Sequence, residues 1–535
     1  MQRPDILNPV LKIHSYNPPS LSPGYIFLST WSSEETSDIQ NSPYIFSNDG
    51  VSPKKSILQF PIPHLLQRHE NSIRQGHIAL FDDRYRLLRV ISAPDGGGAV
   101  DFHEFRLFDD GKTAVVVGLR AMQGDLSQFG IREGVGWVLD SVFWVVDLEK
   151  DNKVRFEWRA SEHVGFGESV LGPSLHRFAG MSWKYAYDFF HINSVDRFKN
   201  GDFLISARHT DTLYRIDGRD GSIVWRLGSK NSSFQLLDFN FSAQHDARIL
   251  EESDGKVVVS LFDNAYNGKR TTSNSSSAIV FEVDTKANES RLLKQFFPTI
   301  KGLAQNQGSM QNLPDGHTLV SWGLIAEFSE FDQQGKTVLD VAFAETTTRA
   351  YRVRKFDWIG RPDESEIALY LYARTNSSSV YFWMSWNGAT EVRKWRMLRE
   401  DGRVLDTCDW EGFETGFDVE TFVSSGYVEA VAEDGKTLGR SKVVKTFVPP
   451  ESMAKVCGDM HCMMQVFPSK ATAVKDSAKG RKRGLLLSSC NTAWDMTWLS
   501  MVSGVLIGFL ASRVRWSTII NIRIITALLE RFRVG

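Results

Sequence analysis

The sequence predicts an all-β fold, in which a six-bladed β-propeller precedes a small β-sandwich and a C-terminal apolar helix. Three observations lead to this prediction. A hairpin pattern recurs along residues 103–322, short alternating strands follow over 364–448, and an uncharged run lies near the end of the chain. At 535 residues the chain also exceeds the roughly 250–300 residues that one hydrophobic core organises.

The recurring unit is a hairpin that turns at Asp-Gly or Asn-Gly. Four segments share it: HEFRLFDDGKTAVVV (103–117), HINSVDRFKNGDFLIS (191–206), HDARILEESDGKVVVS (245–260) and GSMQNLPDGHTLVSW (308–322). A second hairpin follows each one, and four strands per unit are typical of propeller blades with loop insertions. Two weaker units between residues 24 and 93 raise the predicted count to six blades.

These patterns divide the chain into six stretches. They are an N-terminal segment (1–20), the propeller (21–358), a sandwich of immunoglobulin or fibronectin type III kind (364–448), a stalk or linker (449–493), a candidate transmembrane helix (494–513) and a basic tail (514–535). The uncharged core of the candidate helix, 496–512, is close to the shortest length that spans a bilayer, and a buried or interfacial helix is the alternative.

The predicted location is membrane-anchored or on the extracellular side of the secretory pathway, although residues 1–20 contain no apolar signal sequence. Asn-x-Ser sequons are compatible with a glycoprotein in that location. They begin at Asn231, Asn240, Asn274, Asn288 and Asn376.

Composition argues against nucleic acid as a partner, because 62 basic residues face 64 acidic ones and the net charge is -2. The four cysteines lie in the last quarter of the chain, at Cys408, Cys457, Cys462 and Cys490. A metal site at Cys457, His461 and Cys462 lacks the ligand spacing of zinc modules, so a disulfide within the tail is favoured.

Three of the four aligned hairpins open with a histidine: His103, His191 and His245. Because equivalent positions of propeller blades face one another across the central channel, these side chains are predicted to converge. A repeat that served packing alone would favour an apolar residue or glycine at this position. The alternative is that three unrelated histidines cap the starts of strands.

Neighbouring residues favour the binding of a tetrahedral anion, either sulfate or phosphate. Asn193 follows His191 on the same strand face, and Arg208 with His209 closes the hairpin. A neutral imidazole can attack sulfur or phosphorus while a second one transfers protons. A metal site completed by Glu104 or Asp246 is disfavoured, since those side chains point to the opposite strand face; no metal and no cofactor are predicted.

At these residues the sequence resembles the arylsulfotransferase family, in particular its fungal-type branch. The stretches that carry the resemblance are LSPGYIF (21–27), DFHEFRLFDDG (101–111), GWVLDSVFWVVDL (136–148), 188–230, FSAQHDARI (241–249), SLFDNA (260–265), QGSMQNLPDG (307–316) and FSEF (328–331). The resemblance implies a six-bladed propeller that moves a sulfuryl group from an aryl sulfate donor to a phenolic acceptor, without a nucleotide sulfate donor.

The resemblance also implies roles for individual residues. It assigns a transient sulfohistidine to His245, whose Gln-His context is completed by Gln244, and it supports His191, Asn193 and Arg208 as site residues; His103 matches through a short motif only. Members of this type carry an apolar segment before Arg3-Pro4-Asp5, which fits a secretory protein. The alternative function is a non-catalytic propeller that binds an anionic or sulfated ligand at the central funnel.

Overall fold

The computed structural model describes residues 9–32, 42–48, 56–59, 76–94, 99–130, 134–173, 178–345 and 347–457. Within them the chain is nearly all-β. Two short helices are described, α1 (Ala160–His163) and α2 (Glu451–Cys457).

The strands run in the following order. The first ten are β1 (Leu11–Tyr16), β2 (Tyr25–Ser32), β3 (Pro43–Ser47), β4 (Ser56–Gln59), β5 (Ile78–Phe81), β6 (Leu87–Ile91), β7 (Ala99–Phe108), β8 (Thr113–Asp125), β9 (Val135–Asp147) and β10 (Lys153–Arg159). The next eight are β11 (Tyr187–Asp188), β12 (Ile192–Arg197), β13 (Phe203–Ala207), β14 (Thr212–Ile216), β15 (Ile223–Gly228), β16 (Gln235–Leu237), β17 (His245–Ser253) and β18 (Lys256–Asp263). Seven more reach the end of this region: β19 (Ser277–Asp284), β20 (Glu289–Phe296), β21 (Ser309–Asn312), β22 (Thr318–Ser321), β23 (Glu327–Phe331), β24 (Thr337–Phe343) and β25 (Thr348–Phe356). The last eight are β26 (Ile367–Ala373), β27 (Val380–Trp386), β28 (Lys394–Arg399), β29 (Val404–Asp409), β30 (Thr415–Val419), β31 (Ser425–Val431), β32 (Thr437–Arg440) and β33 (Val444–Lys445).

The predicted hairpin repeat is confirmed. Strands β7 to β10, β12 to β15, β17 to β20 and β21 to β24 each form an antiparallel sheet of consecutive strands. The turns between the first two strands of these sheets use Gly111, Gly201, Gly255 and Gly316, all at φ between 77° and 95°, a conformation that glycine adopts without strain.

Two long-range pairings join the ends of this region. Strand β25 pairs antiparallel with β2, in one sheet with β3 and β4, and β1 pairs antiparallel with β24. Strands β5 and β6 form a two-stranded sheet. The arrangement is consistent with a β-propeller. Among the described residues it comprises five sheets of four or five strands and one hairpin, so the count of six full blades stays a prediction.

Hydrophobic side chains fill the spaces between successive sheets. Phe143 of β9 contacts Phe203 of β13 with ring centroids 5.1 Å apart, and both rings are buried. Phe262 of β18 contacts Trp322, which follows β22, at 6.0 Å. These contacts pack each sheet against the next one along the chain.

Five charged side chains form what we call the central charge cluster: Glu104, Asp246, Arg248, Arg352 and Arg354. Arg248 donates to Glu104 at 2.6 Å and to Asp246 at 2.7 Å. Arg354 donates to both Asp246 oxygens at 2.6 and 2.7 Å, and Arg352 donates to Glu104 at 3.2 Å. The cluster therefore ties β7, β17 and β25 together.

Residues after β25 form two further sheets. Strands β26, β27 and β30 make one, and β28, β29, β31, β32 and β33 make the other. Phe382, Met397 and Val428 lie buried in one core that both sheets share. The two sheets fit the predicted sandwich, whose bounds and topological class stay predictions.

Contacts join the β5–β6 hairpin to segments that follow β25 and β27. The Tyr85 hydroxyl donates to the carbonyl of Gly388 at 2.7 Å, and Arg361 donates to Asp83 at 3.0 Å.

Predictions for the C-terminal region have different outcomes. Helix α2 lies in the predicted stalk. The predicted membrane helix (494–513) and the basic tail (514–535) lie outside the described residues. Cys462 and Cys490 lie outside them as well, so the predicted disulfide within the tail stays a prediction. No described helix is both long and apolar enough to cross a membrane. The predicted membrane helix itself is outside the described part of the chain, so it and the location stay predictions. The five sequon asparagines are all exposed.

The fold leads to a prediction about a buried ion pair that fastens β25. Lys355 pairs with Glu330 of β23, and its Nζ also donates to the Ser22 carbonyl at 3.0 Å and to Asn48 Oδ1 at 2.8 Å. We expect Lys355→Met to destabilise the protein by about 3–5 kcal/mol in urea unfolding, because it leaves a buried carboxylate without its cation. Lys256→Met, which breaks an exposed pair with Glu282, is the matched control and should change little. Equal effects of the two substitutions would contradict this account.

Candidate active site

The structure brings the three predicted histidines and a fourth into one cluster. His103 lies in β7, His191 directly precedes β12, and His245 opens β17. The ring centroids of His103 and His191 are 4.7 Å apart, and those of His191 and His209 are 4.5 Å apart. We call His103, His191, His209 and His245 the histidine cluster. Tyr351 of β25 lies against it, with its ring centroid 5.6 Å from His103 and 6.3 Å from His245.

His103 is oriented by the carboxylate two residues before it. Its Nδ1 lies 2.6 Å from Asp101 Oδ1, so Nδ1 carries the hydrogen and Nε2 is the nitrogen available to a substrate. Burial lowers the pKa of His103, against the opposing effect of the Asp101 carboxylate. Burial opposes ionisation of Asp101, but the charge and hydrogen bond of His103 outweigh it and hold the pKa of that carboxyl below its usual range.

His191 has the same kind of partner in an unusual backbone conformation. Its Nδ1 lies 2.5 Å from Asp188 Oδ2, and its φ of 63° is in the left-handed region, which non-glycine residues rarely occupy. Such conformations concentrate at functional sites. Partial burial opposes ionisation of Asp188, but the charges of His191 and His209 outweigh that effect and hold the pKa of Asp188 well below its usual range.

His245 has an amide partner instead of a carboxylate. Asn264 donates through Nδ2 to the carbonyls of Ala304 and Gln307, both at 2.9 Å, so its Oδ1 is the atom that faces His245 Nδ1 at 2.6 Å. Nδ1 of His245 must then carry the hydrogen, and Nε2 keeps its lone pair. The Gln307 N–H approaches that lone pair at 3.3 Å. Burial, followed by the charge of Arg208, lowers the pKa of His245 well below its usual value, so the ring is neutral at pH 7.

Arg208 is held by a chain of contacts that begins at Asp188. The Asp188 carbonyl accepts from His209 Nδ1 at 2.7 Å, and His209 Nε2 accepts from Arg208 at 2.9 Å. The second terminal nitrogen of Arg208 donates to the Gln305 carbonyl at 2.9 Å. Burial lowers the pKa of His209 to about 3. Both nitrogens of His209 are thus engaged, which gives it a positioning role where the sequence predicted contact with substrate.

Asn193 and Gln244 lie behind the histidine cluster. Asn193 is fully buried and donates to the backbone carbonyl of Gln244 at 2.7 Å. The Gln244 side-chain amide donates to Ser206 Oγ and to the carbonyls of Ala207 and Thr212 at 3.1–3.2 Å. Both residues therefore hold the backbone next to His245, and direct contact with a substrate stays a prediction.

Two buried carboxyl groups fix the turn that leads into His245. Asp263 Oδ1 accepts from the backbone N–H groups of Ser242 and Ala265, both at 2.9 Å, and Asp211 accepts from Ala243 at 2.6 Å. Burial raises the pKa of Asp263 to about 7. The carboxyl group is therefore largely protonated below neutral pH.

Several buried polar atoms around the cluster have no hydrogen-bond partner within the described part of the chain. They are Asp188 Oδ1, Asn193 Oδ1, Arg208 Nε, Gln244 Oε1, Tyr351 Oη and Arg352 Nε. Because an unpaired buried polar group costs about 1–3 kcal/mol, such a concentration marks a place where a polar ligand or solvent binds. Arg208 and Tyr351 supply donors, as an oxyanion requires.

A metal site is the competing use of these residues. Donor atoms of Asp188, His191 and His209 lie within 4.8 Å of one another. However, the Arg208 guanidinium occupies Nε2 of His209, where its positive charge would repel a cation. Glu104 and Asp246, the carboxylates considered from the sequence, are held by arginines in the central charge cluster. The donor set fits an anion better than a metal ion.

Sequence reasoning missed four residues of this site: Asp101, Asp188, Asn264 and Tyr351. The two aspartates lie two and three positions before predicted site histidines, a spacing that was visible in the sequence. Asn264 lies in SLFDNA, one of the stretches that carry the family resemblance. Tyr351 carried no local signal, because only the pairing of β25 with β2 brings it to the cluster.

Fold and site together define a propeller-like, nearly all-β protein whose neutral and carboxylate-paired imidazoles surround a buried guanidinium. Residues 68–344 match the family described as arylsulfotransferase (ASST). The match spans more than half of the chain, and the protein belongs to this family, which is a family of transferases. A search of curated proteins found no match.

Solved structures give weaker likenesses. A protein of unknown function from Bacteroides caccae is 13% identical, with 62% of this chain and 98% of that chain covered and a TM-score of 0.35. An inactive virginiamycin B lyase from Staphylococcus aureus with quinupristin is 9% identical, with 80% and 97% covered and a TM-score of 0.26. Likenesses at this level carry no argument about fold or function.

The buried Asp263 carboxyl leads to a prediction about stability and pH. Its pKa is raised from 3.8 to about 7, so its contribution to stability is complete below pH 3.8 and is lost as the pH rises through about 7. Asp263→Asn keeps the oxygen that accepts both N–H bonds and cannot ionise. We expect the variant to gain at least about 1 kcal/mol over wild type between pH 5 and pH 8 in urea unfolding.

Asp254→Asn is the matched control, because that carboxylate is exposed in a turn. A pH dependence that is the same in wild type and Asp263→Asn would show that Asp263 ionises normally in the folded protein.

Proposed function

We propose that the protein transfers a sulfuryl group from an aryl sulfate to a phenolic acceptor, through a sulfohistidine on His245. The observation that carries the proposal is the state of His245: neutral, with Nδ1–H fixed on Asn264 and the lone pair on Nε2. Membership of the arylsulfotransferase family supports the substrate class. No metal or cofactor is needed for this chemistry.

In the first half of the reaction, Nε2 of His245 attacks sulfur. The new N–S bond forms as the bond from sulfur to the aryl oxygen breaks, and the leaving oxygen takes a proton from a neighbouring histidine. In the second half the acceptor hydroxyl gives its proton to that histidine, and its oxygen attacks sulfur. The new O–S bond forms as the N–S bond breaks and the electron pair returns to Nε2 of His245. The proton count therefore balances over one cycle.

His191 suits this proton transfer better than His103. Burial lowers the pKa of His103, which makes its protonated form scarce in the empty site. His191 is less buried, with 23% of its side chain exposed, and it lies against the Asp188 carboxylate. In this assignment His103 is oriented by Asp101 to accept a hydrogen bond or a proton through Nε2.

Negative charge on the transferring group is stabilised by fixed donors. Each terminal nitrogen of Arg208 makes one hydrogen bond within the protein, and its buried Nε, which has no partner among the described residues, is a donor that can reach a sulfuryl oxygen. The Gln307 N–H, which approaches Nε2 of His245, becomes a second donor once sulfur binds that nitrogen. Asn193 and Gln244 hold the backbone beneath His245.

His245→Ala tests the nucleophile directly. Wild type incubated with 4-nitrophenyl sulfate and phenol should release nitrophenol and carry one acid-labile sulfuryl adduct on His245. The variant should lose the adduct and about 10⁴-fold or more of the turnover. Absorbance and intact-protein mass spectrometry measure the two effects.

His14→Ala is the control, because His14 is exposed on the edge strand β1. Turnover that survives His245→Ala would exclude the proposed nucleophile. Binding of the sulfate ester without turnover in wild type would favour the non-catalytic propeller.

Arg208→Lys tests whether turnover depends on the positive charge at this position alone or also on the arrangement of the guanidinium N–H donors. Lysine keeps the positive charge but cannot make both contacts, with His209 and Gln305, while presenting a third donor. We expect turnover of 4-nitrophenyl sulfate to fall by about 10²–10³-fold with the fold intact by circular dichroism. Arg155→Lys, at a half-exposed pair with Asp147, is the matched control. Wild-type turnover in Arg208→Lys would mean that only charge at this position matters.

A further inference from the structure

Tyr351 is a half-buried tyrosine against the histidine cluster, and its hydroxyl oxygen is buried. Its ring is packed from several sides, by Phe102 at 5.7 Å, by His103 and His245 edge-on, and by the Arg352 guanidinium 5.4 Å from the ring centroid. Its backbone carbonyl accepts from the Gly308 N–H at 3.3 Å. Side chain and backbone are both fixed, so the hydroxyl has a defined position.

The hydroxyl itself is buried and has no hydrogen-bond partner among the described residues. Buried tyrosine hydroxyls are normally paired, and leaving one unpaired costs about 1–3 kcal/mol. The contrast within this chain is clear, since the buried Tyr187 hydroxyl donates to the Leu171 carbonyl at 2.6 Å. A hydroxyl that is rigidly held and unpaired beside a polar site is suited to a ligand that accepts a hydrogen bond.

We infer that Tyr351 is a further catalytic residue, which donates its hydroxyl hydrogen bond to an oxygen of the transferring sulfuryl group. The inference rests on the proposed function and adds a donor from β25 to those of Arg208 and Gln307. Burial raises the pKa of Tyr351, which keeps the phenol protonated as a donor.

The three donors come from separate parts of the chain. Arg208 follows β13, Gln307 precedes β21 and Tyr351 lies in β25. A sulfuryl group during transfer has three equatorial oxygens, and three fixed donors can each bind one of them. Tyr351 is the third donor, beside Arg208 and Gln307.

Tyr351→Phe isolates the hydroxyl because it keeps the ring. We expect kcat/KM for 4-nitrophenyl sulfate to fall by about 10²-fold, while stability in urea stays equal or rises, since an unpaired buried hydroxyl is removed. Tyr85→Phe is the matched control: that hydroxyl is paired with the Gly388 carbonyl, so its loss should lower stability and leave turnover unchanged. A catalytic hydroxyl is thus recognised by a loss of turnover without a loss of stability, and a structural hydroxyl by a loss of stability without a loss of turnover.

Two results would overturn the inference while leaving the sulfotransferase proposal intact. One is wild-type kcat/KM in Tyr351→Phe, and the other is a loss of activity that follows an equal loss of stability. If wild type itself releases no nitrophenol, the proposed function fails first. Calorimetry with inorganic sulfate then tests Tyr351 alone: weaker binding by Tyr351→Phe supports the donor, and equal affinity refutes it.

Discussion

The central charge cluster is the interaction on which the rest of the structure depends. Two carboxylates and three arginines meet in the interior, and each carboxylate accepts from at least two guanidinium groups. Buried charges are tolerated only when they are paired and hydrogen-bonded, so no strand that supplies one of these residues can shift without leaving an uncompensated charge. The cluster thereby sets the relative positions of β7, β17 and β25.

The same strands carry the candidate active site one residue away. His103 precedes Glu104, His245 precedes Asp246, and Tyr351 precedes Arg352. In each pair the second residue belongs to the charge cluster, whereas the first belongs to the histidine cluster or, as Tyr351 does, lies against it. The ion pairs of the charge cluster therefore also fix the distances among His103, His245 and Tyr351, because these residues lie on the same strands.

Local patterns in the sequence determine the hairpins and the three aligned histidines, which is why these could be predicted. Asp-Gly and Asn-Gly turns act over four residues, and the repeat register relates His103, His191 and His245 directly. The closing strand could not be predicted in this way. Pairing of β25 with β2 joins positions more than 300 residues apart and leaves no local pattern in the sequence, so nothing near Tyr351 marks it as part of the site.

Side-chain direction was the other limit. Asn193, His209 and Gln244 lie next to the histidine cluster or to His245. The side-chain nitrogens of Asn193 and Gln244 and both ring nitrogens of His209 are hydrogen-bonded within the protein, whereas Asn193 Oδ1 and Gln244 Oε1 have no partner among the described residues. Residue type and spacing specify which groups are near a site. Which groups remain available to a substrate depends on partners such as Asp188 and Asn264, whose placement requires the folded chain.

The partners of the histidines separate their chemical roles. A carboxylate beside Nδ1 stabilises an imidazolium, and this is the partner that His103 and His191 have. An amide oxygen beside Nδ1 fixes the tautomer and adds no full negative charge, and this is the partner of His245. A histidine that must give and take protons needs the first arrangement, whereas one that must attack sulfur needs a lone pair that stays unprotonated. In the proposed reaction, the difference between Asp and Asn as partners is therefore what distinguishes His245, the proposed nucleophile, from the other histidines of the cluster.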